Sequence, residues 1–477
     1  MQYKPVTAVW EVTMGCNMRC GHCGSSCEEA LAGELTTQEA LLLADQIVDI
    51  GLKWITLSGG EPLTRADLPL IIERISNGGV YPNIITNGWL LTPEMVRKLK
   101  ASGVATVAIS VDGDREVHDK IRMKGSYDRI IEAFKNLRDE DAHIAAITTV
   151  SNENIHLLPQ IREMLISNGV KIWQVQIGMP MGNFKEHPDW VIRPEQMTEI
   201  IDFCYETSME GKIMLAPADC IGYYGEKELK IRQNFSKSNA DVGWNGCSAG
   251  VNSFGILHNG DILGCTSIRD KDYIEGNVKE QTLREIWENP DNFAWRRKMT
   301  KNDLAGDCVT CVYASRCLGG CPNTRLTMNG DVYSENCYCS YNLALKTIKR
   351  NLEGVDDVGR LVYTARHNLE AKSFQAASLL AQRALILEPE NKEALDMQGF
   401  AEFMCGNYEK CEEINKKALK IDPDNAYAAK GLGLALHKLG NSNKGLEYLE
   451  QAAKMTNYED DDIMHDLNYV KQEMAAG

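Results

Sequence analysis

The chain has 477 residues, enough for about three domains of ordinary size. Its 44% hydrophobic and 25% charged content is that of a globular protein and argues against disorder. A net charge of −16 lacks the basic footprint that nucleic-acid binding needs, and no apolar run approaches the roughly 18 residues of a membrane span. From residue 6 to about 215, short β-branched runs alternate with amphipathic stretches of helical length. The strand-like runs are 8–13, 54–58, 83–86, 105–110, 144–150 and 172–177. Helix-like segments lie between them, among them 37–50, 93–102, 127–137 and 154–168. This alternation predicts an α/β unit over 1–215, a partial (β/α)6 TIM-like barrel with all strand C-termini on one face.

The segment 216–350 is rich in Gly and Cys and has few long helical periods, so metal is the better candidate to organise it. The last segment, 351–477, is helical with a fixed period. Pro389 and Pro423 are 34 residues apart, as are Gly406 and Gly440, and Ala384, Ala418 and Ala452 keep the same spacing. Phe374 and Tyr408 share one repeat position. Small residues at helix crossings, with Pro after the second helix, resemble tetratricopeptide (TPR) repeats. Three repeats are expected, followed by a polar closing helix over 461–475.

Sixteen cysteines are many for a chain of this kind. The N-terminus has no basic region followed by an apolar core, so a cytoplasmic location is expected, disulfides are disfavoured and metal chemistry is favoured. The run Gly15-Cys16-Asn17-Met18-Arg19-Cys20-Gly21-His22-Cys23 places three thiols in eight residues. Soft thiolates select zinc or iron–sulfur. A closed zinc site would take Cys27 as a fourth ligand, whereas a cubane on three cysteines leaves one iron open. Ser58-Gly59-Gly60-Glu61-Pro62, Thr86-Asn87-Gly88 and Ser110-Val111-Asp112-Gly113 end the second, third and fourth strands, on the rim of the cysteine loop.

C-x3-C-x2-C followed by GGEP in this order resembles the radical S-adenosylmethionine (radical SAM) family, over residues 6 to about 215. The resemblance implies a [4Fe–4S] cluster on Cys16, Cys20 and Cys23 whose open iron chelates SAM. An external low-potential donor would reduce it, releasing a 5′-deoxyadenosyl radical that removes hydrogen from an unactivated C–H. It implies a SAM site from Gly59, Gly60, Glu61, Pro62, Asn87, Ser110 and Asp112. The glycines allow close backbone approach, Glu61 would accept from the SAM ammonium, and Ser110 and Asp112 would contact ribose or carboxylate. Asn87 and Asp112 read equally well as turn residues. His22 reads as a packing or supporting residue, and His118, Asp119 and Arg122 as a local helix-start network. No residue stands out as the catalytic proton acceptor.

The second cysteine group reads Cys247-x12-Gly260-x4-Cys265, a gap, Cys308-x2-Cys311-x5-Cys317-x3-Cys321, a gap, then Cys337 and Cys339. This order resembles the SPASM extension of radical SAM enzymes and implies two auxiliary [4Fe–4S] clusters. Cys308, Cys311, Cys317 and a late cysteine would hold the outer one, with Cys339 preferred to Cys337. Cys247, Cys265 and Cys321 would hold the inner one. Relatives with a fully ligated inner cluster carry another cysteine just before the first; here Asp241 and its neighbours offer none. Two alternatives follow: Cys220 is the fourth ligand, or the inner cluster has an open iron. A zinc ribbon on Cys308, Cys311, Cys317 and Cys321 would leave Cys247 and Cys265 unexplained. Cys27 reads as a buried small residue, and Cys411, inside the repeats, as packing.

SPASM enzymes typically modify peptides. The expected function is therefore a maturase that abstracts hydrogen from a ribosomally made precursor peptide and forms a thioether or C–C cross-link, with the TPR repeats recruiting the precursor. The alternatives are an anaerobic sulfatase maturase, a small-molecule radical SAM oxidase, or a non-catalytic TPR scaffold with vestigial clusters. The sulfatase branch has Asp after the second inner cysteine, where this chain has Thr266.

Overall fold

The computed structural model describes residues 3–236 and 244–476, which leaves Asp241 outside the described residues. The chain forms two compact units, Met1–Tyr341 and Asn342–Gly477. The first opens with β1 (Thr7–Thr13), α1 (Thr37–Asp49), β2 (Trp54–Gly59), α2 (Leu68–Asn77), β3 (Tyr81–Thr86), α3 (Pro93–Ala101) and β4 (Thr106–Ser110). It continues through α4 (Arg115–Ile121), α5 (Ser126–Asp139), β5 (Ile144–Val150), α6 (Leu158–Ser167), β6 (Ile172–Ile177), α7 (Met197–Glu210), β7 (Met214–Pro217) and α8 (Glu226–Ser236).

Strands β1 to β7 pair in sequence order, each parallel to the next. Trp10, Ile55, Leu57, Ile84, Val107, Ile109, Trp173 and Val175 are fully buried along it. Each such side chain contributes about 1.5–3 kcal/mol of burial, and strands covered on both faces read as the continuous apolar runs seen here. The expected six strands are joined by a seventh, β7. Its four residues, Met-Leu-Ala-Pro, show no alternation to betray it. The helical run expected over 154–168 is interrupted: a short 3₁₀ turn at Ile155–Leu157 precedes α6, whose Pro159 sits at the helix start.

The cysteine-rich segment extends the same sheet. Here β8 (Ser253–Ile256) lies parallel to β1, and β9 (Asp261–Leu263) and β10 (Ile274–Asn277) continue it antiparallel. Short helices α9 (Leu283–Glu288), α10 (Ala294–Arg297), α11 (Ala314–Cys317) and α12 (Pro322–Asn329) follow. Then α13 (Ser340–Leu352) runs into the second unit.

The second unit is helical: α14 (Val358–Glu370), α15 (Phe374–Leu387), α16 (Lys392–Met404), α17 (Tyr408–Ile421), α18 (Ala426–Lys438), α19 (Ser442–Met455) and α20 (Asp461–Ala476). Helix starts recur at one period, at Val358, Lys392 and Ala426 and again at Phe374, Tyr408 and Ser442. Ala384, Ala418 and Ala452 are buried where helices cross, as is Cys411. A Cβ on Gly433 would meet the Gly445 carbonyl at 2.7 Å, so these two helices pack backbone to backbone. Among the described residues, no helix is long and apolar enough to cross a membrane.

Candidate functional site

Strand β1 delivers the first cysteine group. Its register against β2 shifts between Glu11 and Thr13, a bulge-like irregularity just before the chain leaves the sheet. The loop is then pinned at several points. Cys16 N–H donates to the Glu28 carbonyl and Gly21 N–H to the Ile121 carbonyl, each at 2.8 Å. Asn183 donates its backbone N–H to the Cys23 carbonyl and its side-chain amide to the Cys20 carbonyl. Glu34 accepts from Met14 N–H at 2.7 Å and Leu31 N–H at 3.0 Å, closing the base of the loop.

The GGEP turn docks on this loop through its backbone. Gly60 N–H donates to the Thr13 carbonyl and Glu61 N–H to the Gly15 carbonyl, both at 2.8 Å. A Cβ on Gly59 would stand 2.2 Å from the Thr13 oxygen, and one on Gly60 2.2 Å from the Gly15 oxygen. Gly59 also has φ +131°, which disfavours any side chain. The two glycines therefore let the second strand-end loop lie against the cysteine loop. Pro62 begins a short 3₁₀ turn that the Glu61 side chain caps at Leu63 N–H.

Glu61 is fully buried. Its carboxylate accepts from Thr86 Oγ1 at 2.8 Å, Asn87 N–H at 2.7 Å and Leu63 N–H at 3.1 Å. These bonds fasten the end of β3 to the end of β2. Burial raises its pKa to about 7, against the lowering effect of those donors. Asn87 extends the link, donating to the Asn17 side chain at 2.8 Å, and Asn17 lies between the first two cysteines.

Asp112 behaves in the same way. It is fully buried and accepts from His22 Nε2 at 2.8 Å, Arg122 Nε at 2.6 Å and Thr149 N–H at 2.9 Å. Burial alone would raise its pKa, but Arg122 and His22 outweigh that and hold the carboxyl well below the usual range. His118 accepts the Asp112 N–H at Nδ1, which requires a neutral ring; burial, then Arg122, pushes its pKa down to about 3. The residues that sequence reads as a helix-start network, with His22, thus surround the carboxylate that ties α4, β5 and the cysteine loop together. Asp119 does take the local role, accepting from Gly125 and Tyr127 N–H. Ser110 ends β4 half-buried on the rim.

Cys27 is buried and donates to the Cys23 sulfur, which lowers the Cys23 pKa. One link that the sequence does not announce is Arg269, four residues past Cys265. It pairs with the buried Glu11 on β1 and donates to Ser25 Oγ at 2.5 Å in the cysteine loop.

Cys308, Cys311 and Cys317 act electrostatically on one another, as do Cys247, Cys265 and Cys321, and Cys321 acts on Cys220 as well. The Gly319–Gly320 pair, at φ +78° and +70°, turns the chain between Cys317 and Cys321. A Cβ on Gly320 would strike the Tyr223 ring at 2.5 Å. Cys339 is buried in one apolar cluster with Cys247, Cys317, Tyr223 and Trp244, while Cys337 is half-buried. Cys220 Sγ accepts from Ile177 N–H at 3.4 Å, beside β6 and β7. Cys204 is buried on α7 with only burial acting on it.

Soft thiols are the donors that iron–sulfur clusters take, although among the described residues no three His, Cys, Asp or Glu side chains are grouped to hold a single metal ion. Burial raises the thiol pKa of Cys20, Cys265 and Cys311 to about 11, and a metal bound there would deprotonate them. Arg325 is fully buried, and its Nε and Nη1 have no hydrogen-bond partner among the described residues. This cation feels Cys308, Cys321 and Cys317, where anionic clusters would supply the missing charge.

A Radical SAM superfamily model matches residues 10–165, and an iron-sulfur cluster-binding domain (SPASM) model matches residues 247–312. AdoMet-dependent heme synthase of Methanosarcina barkeri is 34% identical over 353 residues, 72% of this chain and 98% of that protein. Mycofactocin maturase MftC of Mycolicibacterium smegmatis is 28% identical over 328 residues, 66% of this chain and 78% of that protein. Two solved structures share the fold. Streptococcus suis SuiB bound to S-adenosylmethionine has a TM-score of 0.57 at 18% identity, covering 71% of this chain and 78% of its own. anSMEcpe with bound AdoMet has a TM-score of 0.57 at 16% identity, covering 74% and 100%. The cysteine loop seated on GGEP, the second cysteine group on the same sheet and these matches together place the chain among the enzymes of the radical SAM superfamily that carry a SPASM iron–sulfur domain.

Proposed function

We propose that the protein is a radical SAM/SPASM maturase that oxidatively modifies a ribosomally made peptide, ending in a thioether or C–C cross-link. Cys16, Cys20 and Cys23 hold the radical cluster, and two auxiliary [4Fe–4S] clusters sit in the cysteine neighbourhoods beyond. Gly59, Gly60, Glu61, Pro62, Asn87, Ser110 and Asp112 form the strand-end rim that receives SAM, and Glu61 and Asp112 also fix that rim through their hydrogen bonds. When bound, the reduced cluster and SAM supply the radical that removes a substrate hydrogen. The chain's own residues orient the cofactor loop, exclude water and carry positive charge, through Arg325, to where the substrate electron arrives.

One observation favours a peptide substrate. The match to the heme synthase uses 98% of that protein but 72% of this chain, so more than a quarter of this chain has no counterpart there. The chain adds a periodic helical unit to a shared core, and repeats of this kind, read as TPR, suit extended peptides. SuiB has also been solved bound to its precursor peptide SuiA. We assign precursor recruitment to residues 351–477. A tetrapyrrole substrate is the second reading, favoured by the 34% identity to the heme synthase.

The test is turnover with SAM, dithionite and a short peptide encoded beside the gene. The peptide reading expects 5′-deoxyadenosine together with a peptide that has lost two hydrogens. Turnover of an iron porphyrin, with the peptide unchanged, would select the second reading. Deleting 355–477 should weaken peptide binding; unchanged binding and turnover would remove the recruitment role.

A further inference from the structure

We infer that Arg269 anchors the substrate by one of its carboxylates, between the radical-cluster loop and the second cysteine group. The inference deepens the function proposed above and rests on it.

The sheet sets the position. Parallel pairing places Glu11 beside Ser58 and Val9 beside Thr56. Alternation carries that face across the strands to Ser110, Thr149, Gln174 and Gln176. These polar side chains are half-buried, whereas Trp10, Leu57, Ile109 and Trp173 on the opposite face are sealed. One face of the sheet is thus apolar and closed, and the other is polar and keeps open surface. Glu11 stands on the polar face near the end of β1.

Arg269 comes to Glu11 from the second cysteine group. Ile268 N–H donates to the Cys265 carbonyl at 2.9 Å, closing a turn that Arg269 follows. Its Nη2 pairs with Glu11 and donates to Ser25 Oγ at 2.5 Å, two residues past Cys23. One guanidinium therefore touches both β1 and the radical-cluster loop, four residues along the chain from Cys265. A substrate that loses hydrogen at the first cysteine group and passes an electron to the second must lie between them.

The guanidinium is not used up by these contacts. Only Nη2 is engaged, and Glu11 meets it with one oxygen; the other Glu11 oxygen has no partner among the described residues. Nε and Nη1 carry no hydrogen bond within the described residues, and neither is sealed in the interior, the side chain being 25% exposed. A link serving stability alone would gain from the two parallel bonds that Arg and a carboxylate favour. Here Glu11 and Ser25 instead fix the group at one nitrogen and leave the N–H donors of the other two free. An anion with two acceptor oxygens matches a cation presented in this way, and a carboxylate is the anion that peptides and porphyrins both carry.

The test pairs enzyme variants with blocked substrates, using the reconstituted full-length enzyme with SAM and dithionite. One probe is the short peptide encoded beside the gene, with each Asp, Glu and C-terminal carboxylate converted singly to its amide. The other is an iron porphyrin with its propionates free or as methyl esters. In the parent, one block should raise KM about 10- to 100-fold with kcat little changed. Arg269→Gln should raise KM for the unblocked substrate by the same factor and be indifferent to that block, and Arg269→Lys should fall between. If Arg269→Gln does not load iron, Arg269→Lys and the parent complete the comparison. A parent indifferent to every block, effects of block and variant that multiply, or an Arg269→Gln that lowers kcat with KM unchanged would overturn the assignment. The same coupling seen with the porphyrin, and no turnover of the peptide, would keep Arg269 as the anchor and overturn the peptide reading, which separates the two failures.

Discussion

His22 Nε2 lies 2.8 Å from Asp112 Oδ2, joining the middle of the cysteine loop to the end of β4. Arg122 Nε holds the same oxygen at 2.6 Å, and all three side chains are almost wholly buried. A charge pair of this kind fixes geometry more than it adds stability, because both ions give up their hydration.

Breaking the pair should be costly. Asp112→Asn leaves the Arg122 guanidinium buried against a neutral amide, and about 3–5 kcal/mol of stability should be lost. Chemical denaturation checks this. Combining Asp112→Asn with Arg122→Met should recover part of the loss, because the unpaired charge is then gone. A double variant no more stable than the single one would show that Arg122 is neutralised elsewhere.

Glu61 sets a pH dependence. Its folded pKa, raised to about 7 by burial, lies above that of the unfolded chain, so the folded state holds a proton that the unfolded state releases. Stability from this group is therefore present in acid and is lost as pH rises through about 7. Between about pH 6 and pH 8 the loss should be on the order of 1 kcal/mol. Glu61→Gln should abolish that component of the slope, measured as denaturation midpoints across the same range.

Gly60 tests the docking of the two loops. A methyl group there meets the Gly15 carbonyl oxygen at 2.2 Å, so Gly60→Ala must push GGEP away from the cysteine loop. Overpacking of this sort costs about 1–3 kcal/mol. The variant should fold but bind SAM at least about tenfold more weakly, a loss of about 1.4 kcal/mol, as read by equilibrium titration.

Arg325 tests the electrostatics of the auxiliary groups. Replacing it with Met removes a buried positive charge facing Cys308, Cys321 and Cys317. At an effective dielectric near 20, one charge at about 7 Å is worth roughly 2 kcal/mol, so the auxiliary reduction potential should fall by on the order of 100 mV. Redox titration followed by EPR measures it, and an unchanged potential would detach Arg325 from the clusters.

Much of this was legible in the residues. Parallel strands buried on both faces announce themselves as β-branched runs, and β1 to β6 fall close to where the pattern puts them. The helical period survives in the helix starts because close packing needs small residues at fixed crossings, as at Gly433 and Gly445. Strand β7 was not legible, since four residues ending in Pro carry no periodicity. Strand β8 joins β1 across more than two hundred residues of chain, a pairing that no local pattern encodes. At the site, residue types and spacing located GGEP and the strand ends, but not which way side chains turn. Glu61 and Asp112 read in sequence as ligand contacts; folding adds a loop-holding role that spacing does not show, because three donors converge on each.

The central claim is a radical SAM cluster on Cys16, Cys20 and Cys23 with two further clusters beyond it. The most direct measurement is iron and sulfide content of the anaerobically reconstituted protein beside that of the Cys16→Ala, Cys20→Ala, Cys23→Ala variant, with 5′-deoxyadenosine assayed in both under dithionite and SAM. The account predicts about twelve iron per chain falling to about eight, three cubanes reduced to two, with 5′-deoxyadenosine formed only by the parent. Iron unchanged in the variant, or 5′-deoxyadenosine absent from the fully loaded parent, would contradict it.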